Sequence, residues 1–138
     1  MSAKRIVFNP RNMGELLACE IRLLEVLSVA IAVWPDDELV IGDIHRTLLE
    51  ETAAGGKSGI HAAGPPFRAI DAKVAGATIE ARWAKAAAVA GKLNERLIYD
   101  PARPEKLVAF AQPHGTGPHV HLQVHQNTRR RIDPALET

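Results

Sequence analysis

Pro118-His119-Val120-His121-Leu122-Gln123-Val124-His125 is the stretch on which the fold turns, because polar and apolar residues alternate in it without a break. A period of two is the mark of a strand with one face in a core. Val120, Leu122 and Val124 take that inner face, and His119, His121, Gln123 and His125 share the other. Imidazoles crowded on one side of a short strand are costly as packing and useful as chemistry.

Working upstream, Lys106 to Ala111 reads as the strand before it, joined through Gln112 to Gly117, a connection of hairpin length rich in Gly and Pro. Arg96 to Tyr99 reads as another short strand. Between Thr78 and Leu97 an alanine-rich segment has Ile79, Trp83, Ala87, Ala90 and Leu93 at helical spacing, which predicts a helix packed closely on a sheet. Phe67 to Val74 reads as a strand, with Phe67, Ala69, Asp71 and Lys73 on one face and Arg68, Ile70 and Ala72 on the other. Glu38 to Ile44 is a further strand, with Leu39 and Ile41 on one face and Val40 opposite. Leu48 to Ala54 suggests a short helical turn, followed by the loop Gly55-Gly56-Lys57-Ser58-Gly59.

Asn12-Met13-Gly14-Glu15 has the form of a capping box. Leu16, Leu17, Ile21, Leu24, Leu27 and Ile31 follow at helical spacing, and Pro35-Asp36-Asp37 turns the chain. The second half of this helix is apolar nearly all round, so burial against a sheet is expected. Trp34 and Trp83 read as core anchors. The class is α+β: a small antiparallel or mixed sheet of four to five strands with two main helices packed on it. Residues 1–128 make a single domain, and 129–138, opening on Arg129-Arg130-Arg131, a frayed tail.

Bulk properties narrow the function. The chain has 138 residues, 46% hydrophobic and 24% charged, which suits one globular domain. Seventeen Lys and Arg against sixteen Asp and Glu leave a net charge of +1, no global field for nucleic acid or acidic membrane. The longest apolar run, Val26 to Trp34, is too short to span a bilayer. No signal peptide is read at the start, so synthesis in the cytoplasm is expected, and a target outside the membrane would have to be reached through release by something else. Cys19 is the one cysteine, and in its apolar context it reads as a small buried hydrophobe. Any metal must therefore be held by His and carboxylates. Ser58 has no base at nucleophile spacing, which argues against a serine hydrolase.

Ser58-Gly59-Ile60-His61-Ala62-Ala63-Gly64, then Arg68-Ala69-Ile70-Asp71, and later His119-Val120-His121 resemble the signature of the zinc peptidases of the D-Ala-D-Ala carboxypeptidase type. That group is related to lysostaphin-like enzymes and to the hedgehog domain, and this chain looks most like its phage endolysin branch. The resemblance spans roughly residues 40–125. It implies Zn²⁺ held by His61, Asp71 and His121, with peptidoglycan peptides as substrate, reached in the cell wall after release or as part of a virion. Three protein ligands leave zinc an open position for water, whose pKa falls to about 7 beside the metal.

In the branch with a His-x-His pair the first His assists catalysis, which points to His119 as the proton carrier. Arg46, in Ile44-His45-Arg46-Thr47, matches an Arg that stabilises the oxyanion. Ser58 is expected to help hold substrate, and Gln123 to contact the peptide or support a ligand. His45, His114 and His125 are read as surface or supporting residues.

Two departures stand out. Pro65-Pro66-Phe67 is inserted between Gly64 and Arg68, setting His61 and Asp71 ten residues apart. Pro118 occupies the position at which carboxypeptidase members place a catalytic Glu. These favour a second expectation, a non-catalytic, zinc-stabilised interaction domain of a phage or host assembly.

Overall fold

A computed structural model describes residues 2–8, 14–15, 18–44, 66–111 and 117–131. It is α+β. Among the described residues the strands are β1 (Arg5–Val7), β2 (Glu38–Ile41), β3 (Ala69–Lys73), β4 (Leu97–Ile98), β5 (Ala109–Phe110), β6 (His119–Gln123) and β7 (Arg129–Arg130), and the main helices are α1 (Ile21–Val33) and α2 (Ile79–Arg96). The main sheet has the order β1-β2-β3-β6-β5, and β4 pairs with β7 separately. β1 is parallel to β2, as a crossover through α1 requires, and the other pairs are antiparallel.

The alternation read from the sequence is what sorts the sheet into two faces. Ile70 lies opposite Leu122, and Ala72 opposite Val120, all fully buried. With Leu39, Ile41 and Ala109 they form a floor under Leu23, Val26, Leu27 and Ala30 of α1 and Ala86, Val89, Ala90 and Leu93 of α2. Trp34 is fully buried and donates its indole N–H to the Glu38 carbonyl at 3.0 Å, which satisfies its polar end.

Both helices keep part of the expected stripe inward, Leu27 in α1 and Ala90 and Leu93 in α2, but are rotated from it elsewhere. In α1, Ile21 is 73% exposed and Leu24 42%, while Leu23, Val26, Leu27, Ala30 and Val33 face the core. A helix that is apolar nearly all round does not encode which side meets the sheet. In α2, Ile79 is 61% exposed and Ala87 also faces outward, whereas Ala86 and Val89 are buried. Alanine at so many positions gives overlapping stripes, and the larger Val89 takes the inner place.

The first helix also starts later than the capping box suggested. Gly14 and Glu15 are helical, but Ala18 to Glu20 are not. There the backbone pairs with Phe67: Phe67 N–H donates to the Ala18 carbonyl at 3.0 Å, and Glu20 N–H to the Phe67 carbonyl at 2.8 Å. Glu20 then caps α1 through its carboxylate and the Arg22 N–H at 2.8 Å. Cys19, half-buried against the core, has its thiol pKa pushed up to about 11, by burial first and by the nearby Glu15 second.

α2 begins where expected, with the Thr78 hydroxyl accepting from Ala81 N–H at 3.0 Å. Its far end corrects the reading of residues 129–131 as frayed. Arg129 and Arg130 form β7 against Leu97 and Ile98. Arg131 donates its backbone N–H to the Arg96 carbonyl at 2.8 Å and its Nε to the Asn94 carbonyl at 2.9 Å. The last carbonyls of a helix have no partner inside it and carry negative partial charge, so an arginine is well placed there. β1 was not anticipated at all. Leu48 to Ala54, the Gly55-to-Gly59 loop and residues 132–138 lie outside the described residues.

Edge strand β5 is held by a side chain. Asn94 of α2 donates its Nδ2 to the Ala109 carbonyl at 2.7 Å and accepts from Ala109 N–H at 3.1 Å. The amide thus stands in for a neighbouring strand. Ala109 is fully buried, so its backbone groups have no water to fall back on. Asn94→Ala is expected to cost about 1–3 kcal/mol of folding free energy, measured by denaturant unfolding, with Asn94→Asp also destabilising because it loses the donor.

Candidate functional site

The second face of the sheet carries the polar residues. In β3 and β6, Asp71 lies directly opposite His121, Lys73 opposite His119 and Ala69 opposite Gln123. Phe110 of β5 lies opposite His121 from the other side. Strand periodicity therefore delivers Asp71, His119, His121 and Gln123 to one place. Asp71 and His121 are each 5% exposed and His119 8%. Polar groups this deep must be matched to one another.

Asp71 is set by a local irregularity. Its carbonyl accepts from Gly42 N–H at 2.7 Å, while its own N–H donates to the Asp43 carbonyl at 2.8 Å. Two residues at the end of β2 thus answer one of β3, the count of a bulge, a device that re-aims a side chain. A Cβ on Gly42 would stand 3.2 Å from Lys73 Cε and 3.5 Å from the Asp71 carbonyl oxygen, so the approach is close.

The tautomers follow from what the partners can do. A carbonyl only accepts, so the Gln123 amide turns its NH₂ to the Leu107 carbonyl at 2.9 Å. Its Oε1 is left facing His121 Nε2 at 3.2 Å, which makes that nitrogen a donor. His121 Nδ1 then faces Asp71 Oδ1 at 3.1 Å. In a neutral ring this Nδ1 is a lone pair pointed at a carboxylate oxygen, and two acceptors at that distance repel unless a proton or a cation lies between them. The Phe110 ring stacks on His121, 4.4 Å between centroids, and limits its rotation.

His119 is oriented in the same manner. Its Nδ1 donates to the Gly117 carbonyl at 2.6 Å, leaving Nε2 as the accepting nitrogen, 3.9 Å from Asp71 Oδ1. Trp83 of α2 lies beside it, with ring centroids 5.6 Å apart.

Of the residues expected from the sequence, the structure brings Asp71, His119, His121 and Gln123 together. His61, Arg46 and Ser58 lie outside the described residues, as do His45 and His114. Among the described residues no set of three or more His, Cys, Asp or Glu side chains forms a group for a metal ion. Asp71 and His121 do fit as two members of one. Ligand atoms at zinc's usual 2.0–2.1 Å in a tetrahedron stand about 3.3 Å apart, near their separation, and nitrogen with carboxylate oxygen is a donor set zinc accepts. Sequence reasoning missed Phe110, the Leu107 and Gly117 carbonyls and Asn94, because strand register and backbone groups leave no residue signature.

His125 belongs to a different structure. Its Nδ1 accepts from Asn127 N–H at 3.2 Å, and its own N–H donates to the Thr128 hydroxyl at 2.8 Å, which in turn donates to the Tyr99 carbonyl at 2.7 Å. Asp100 anchors this turn by accepting from Ala102 N–H and Arg103 Nε, both at 3.0 Å. A hollow of about 440 Å³ beside it is lined by Arg22, Asp100, Asn127 and Arg129 and includes none of the clustered residues above.

Comparison with family models, curated proteins and solved structures finds no match to the chain. No helix among the described residues is long and apolar enough to cross a membrane.

The hydrogen bond from Ala102 N–H, followed by those from Arg103 and Asn127, holds the Asp100 carboxyl below its ordinary value. Its stabilising effect is therefore complete above the unfolded carboxylate pKa of about 3.9 and is lost as pH falls through the lower folded value. Asp100→Asn is expected to lower Tm at pH 7, with the gap to wild type narrowing below about pH 4. Thermal unfolding across that range is the measurement.

Proposed function

We propose that this protein is a zinc-dependent peptidase acting on the peptide stems or cross-bridges of bacterial cell wall. The observation that carries the proposal is the buried pairing of His121 Nδ1 with Asp71 Oδ1 at 3.1 Å, a nitrogen and a carboxylate oxygen at the spacing of two ligands, with an amide holding the far side of the imidazole. A proton or a cation satisfies that pairing, and the proposal takes the cation. The substrate class rests on the likeness of Ser58 to Gly64, Arg68 to Asp71 and His119 to His121 to the carboxypeptidase-type signature.

In this reading Asp71 and His121 would hold the ion together with His61, which the resemblance assigns. Zinc bound there would supply Lewis acidity toward a carbonyl and lower the pKa of water to about 7. His119 Nε2, left as the accepting nitrogen by the Gly117 carbonyl's hold on Nδ1, would take up a proton and deliver it to the leaving amine. By the resemblance, Arg46 would stabilise the developing oxyanion and Ser58 would help to hold the peptide. Burial of the cluster limits bulk water around the reacting groups.

A second reading has its own observation. Pro118, buried immediately before the paired histidines, occupies the place where the resemblance expects a catalytic Glu, which favours a zinc-stabilised interaction domain without turnover.

Zinc content and release of new amino groups from purified peptidoglycan separate the two. Wild type is expected to carry about one zinc per chain and to hydrolyse the wall. His121→Ala should lose the metal, and His119→Ala should keep it while turnover falls about 10²–10⁴-fold. Wild type that takes up no zinc sinks the metal reading. Full zinc with no hydrolysis of any wall type selects the interaction domain.

A further inference from the structure

We propose that Gln123 is a positioning residue, not a substrate contact: it ties His121 to the Leu107 carbonyl so that Nδ1, and never Nε2, is the nitrogen that shares a cation with Asp71. The zinc part of this inference rests on the function proposed above; the tautomer part does not.

The chain of contacts starts at an edge strand. Asn94 clamps Ala109 in β5 through both its backbone groups, at 2.7 and 3.1 Å, which fixes the segment carrying the Leu107 carbonyl. That carbonyl takes a proton from Gln123 Nε2 at 2.9 Å. An amide has one donating and one accepting end, so its orientation is decided there and Oε1 is presented to His121 Nε2 at 3.2 Å. The imidazole must carry hydrogen on Nε2, and Nδ1 is delivered to Asp71 Oδ1 at 3.1 Å. Without the amide, this relay no longer distinguishes the two tautomers, and the ring loses a polar anchor on the side away from Asp71.

The strand also argues against substrate contact. Gln123 shares a face with His119 and His121, but both ends of its amide are engaged inside the protein, one by a ring and one by a backbone carbonyl. A side chain that had to greet a peptide would exchange these bonds for new ones at each turnover. Supporting hydrogen bonds to the far nitrogen of a metal-binding histidine set the ring's tautomer and basicity, and their removal weakens metal binding about 10–100-fold.

Two variants and two readouts test this in the full-length chain. Gln123→Leu keeps the size and removes both bonds; Gln123→Glu keeps an acceptor for Nε2–H. Competition against a chromophoric chelator should show zinc about 10–100-fold weaker in Gln123→Leu and largely restored in Gln123→Glu. Long-range ¹H–¹⁵N spectra should show a proton on His121 Nε2 in wild type and a mixed state in Gln123→Leu. A peptide-contacting role instead predicts unchanged zinc affinity and a raised KM. Unchanged zinc affinity in Gln123→Leu, or a bare Nε2 in wild type, overturns the proposal. Should wild type bind no zinc, the peptidase reading fails by itself, and the protonation of Nε2 still decides the relay.

Discussion

The pairing of β3 with β6 is the constraint from which both the core and the polar cluster follow. Its register sets Ile70 against Leu122 and Ala72 against Val120 on one side of the sheet, and Asp71 against His121 on the other. Because side chains alternate with a period of two, these arrangements cannot be altered separately. A slip of β6 by one residue would carry His119, His121 and Gln123 into the apolar layer beneath the helices, away from Asp71. The apolar face thus enforces the position of the polar one, and the cluster inherits its rigidity from the core.

Around that register the protein spends several local devices on holding side chains still. A bulge formed by Gly42 and Asp43 seats Asp71; the Gly117 carbonyl seats His119; the Gln123 amide and the Phe110 ring seat His121. Each limits rotation of a group that is almost wholly buried. Ordering a side chain has an entropic cost, and here it falls on residues that contribute little apolar area. Such concentration of fixed, mutually facing polar groups is better explained by chemistry than by stability, since a hydrophobic replacement of a buried polar set is often as stable or more so.

The strands were more legible than the helices' orientation. Alternation from His119 to Val124 is strict, so that strand and its inner face could be read directly, and the division of Phe67 to Lys73 into two faces matched its pairing. α2 announced its start through Thr78 and its length through its periodicity. The inward stripe of α1 was not legible, because Ile21, Leu24, Leu23 and Val26 are all apolar and only the sheet chooses among them. The break at Ala18 to Glu20 was hidden for a related reason: helical propensity there is overridden by backbone bonds to Phe67, some fifty residues away. Arg129 to Arg131 looked like solvated charge, yet two helix-end carbonyls and the edge of β4 were waiting for them.

What the sequence determined by itself was the α+β class, the two sheet faces, and the fact that Asp71, His119, His121 and Gln123 lie on outward positions of their strands. Periodicity is a local property, and local order suffices to read it. The tertiary structure alone decided that those outward positions meet, which nitrogen of each imidazole faces the carboxylate, and that backbone carbonyls at Gly117 and Leu107 make that choice. Those outcomes depend on strand register and on main-chain groups, which every residue carries alike and which therefore leave no mark in the order of side chains.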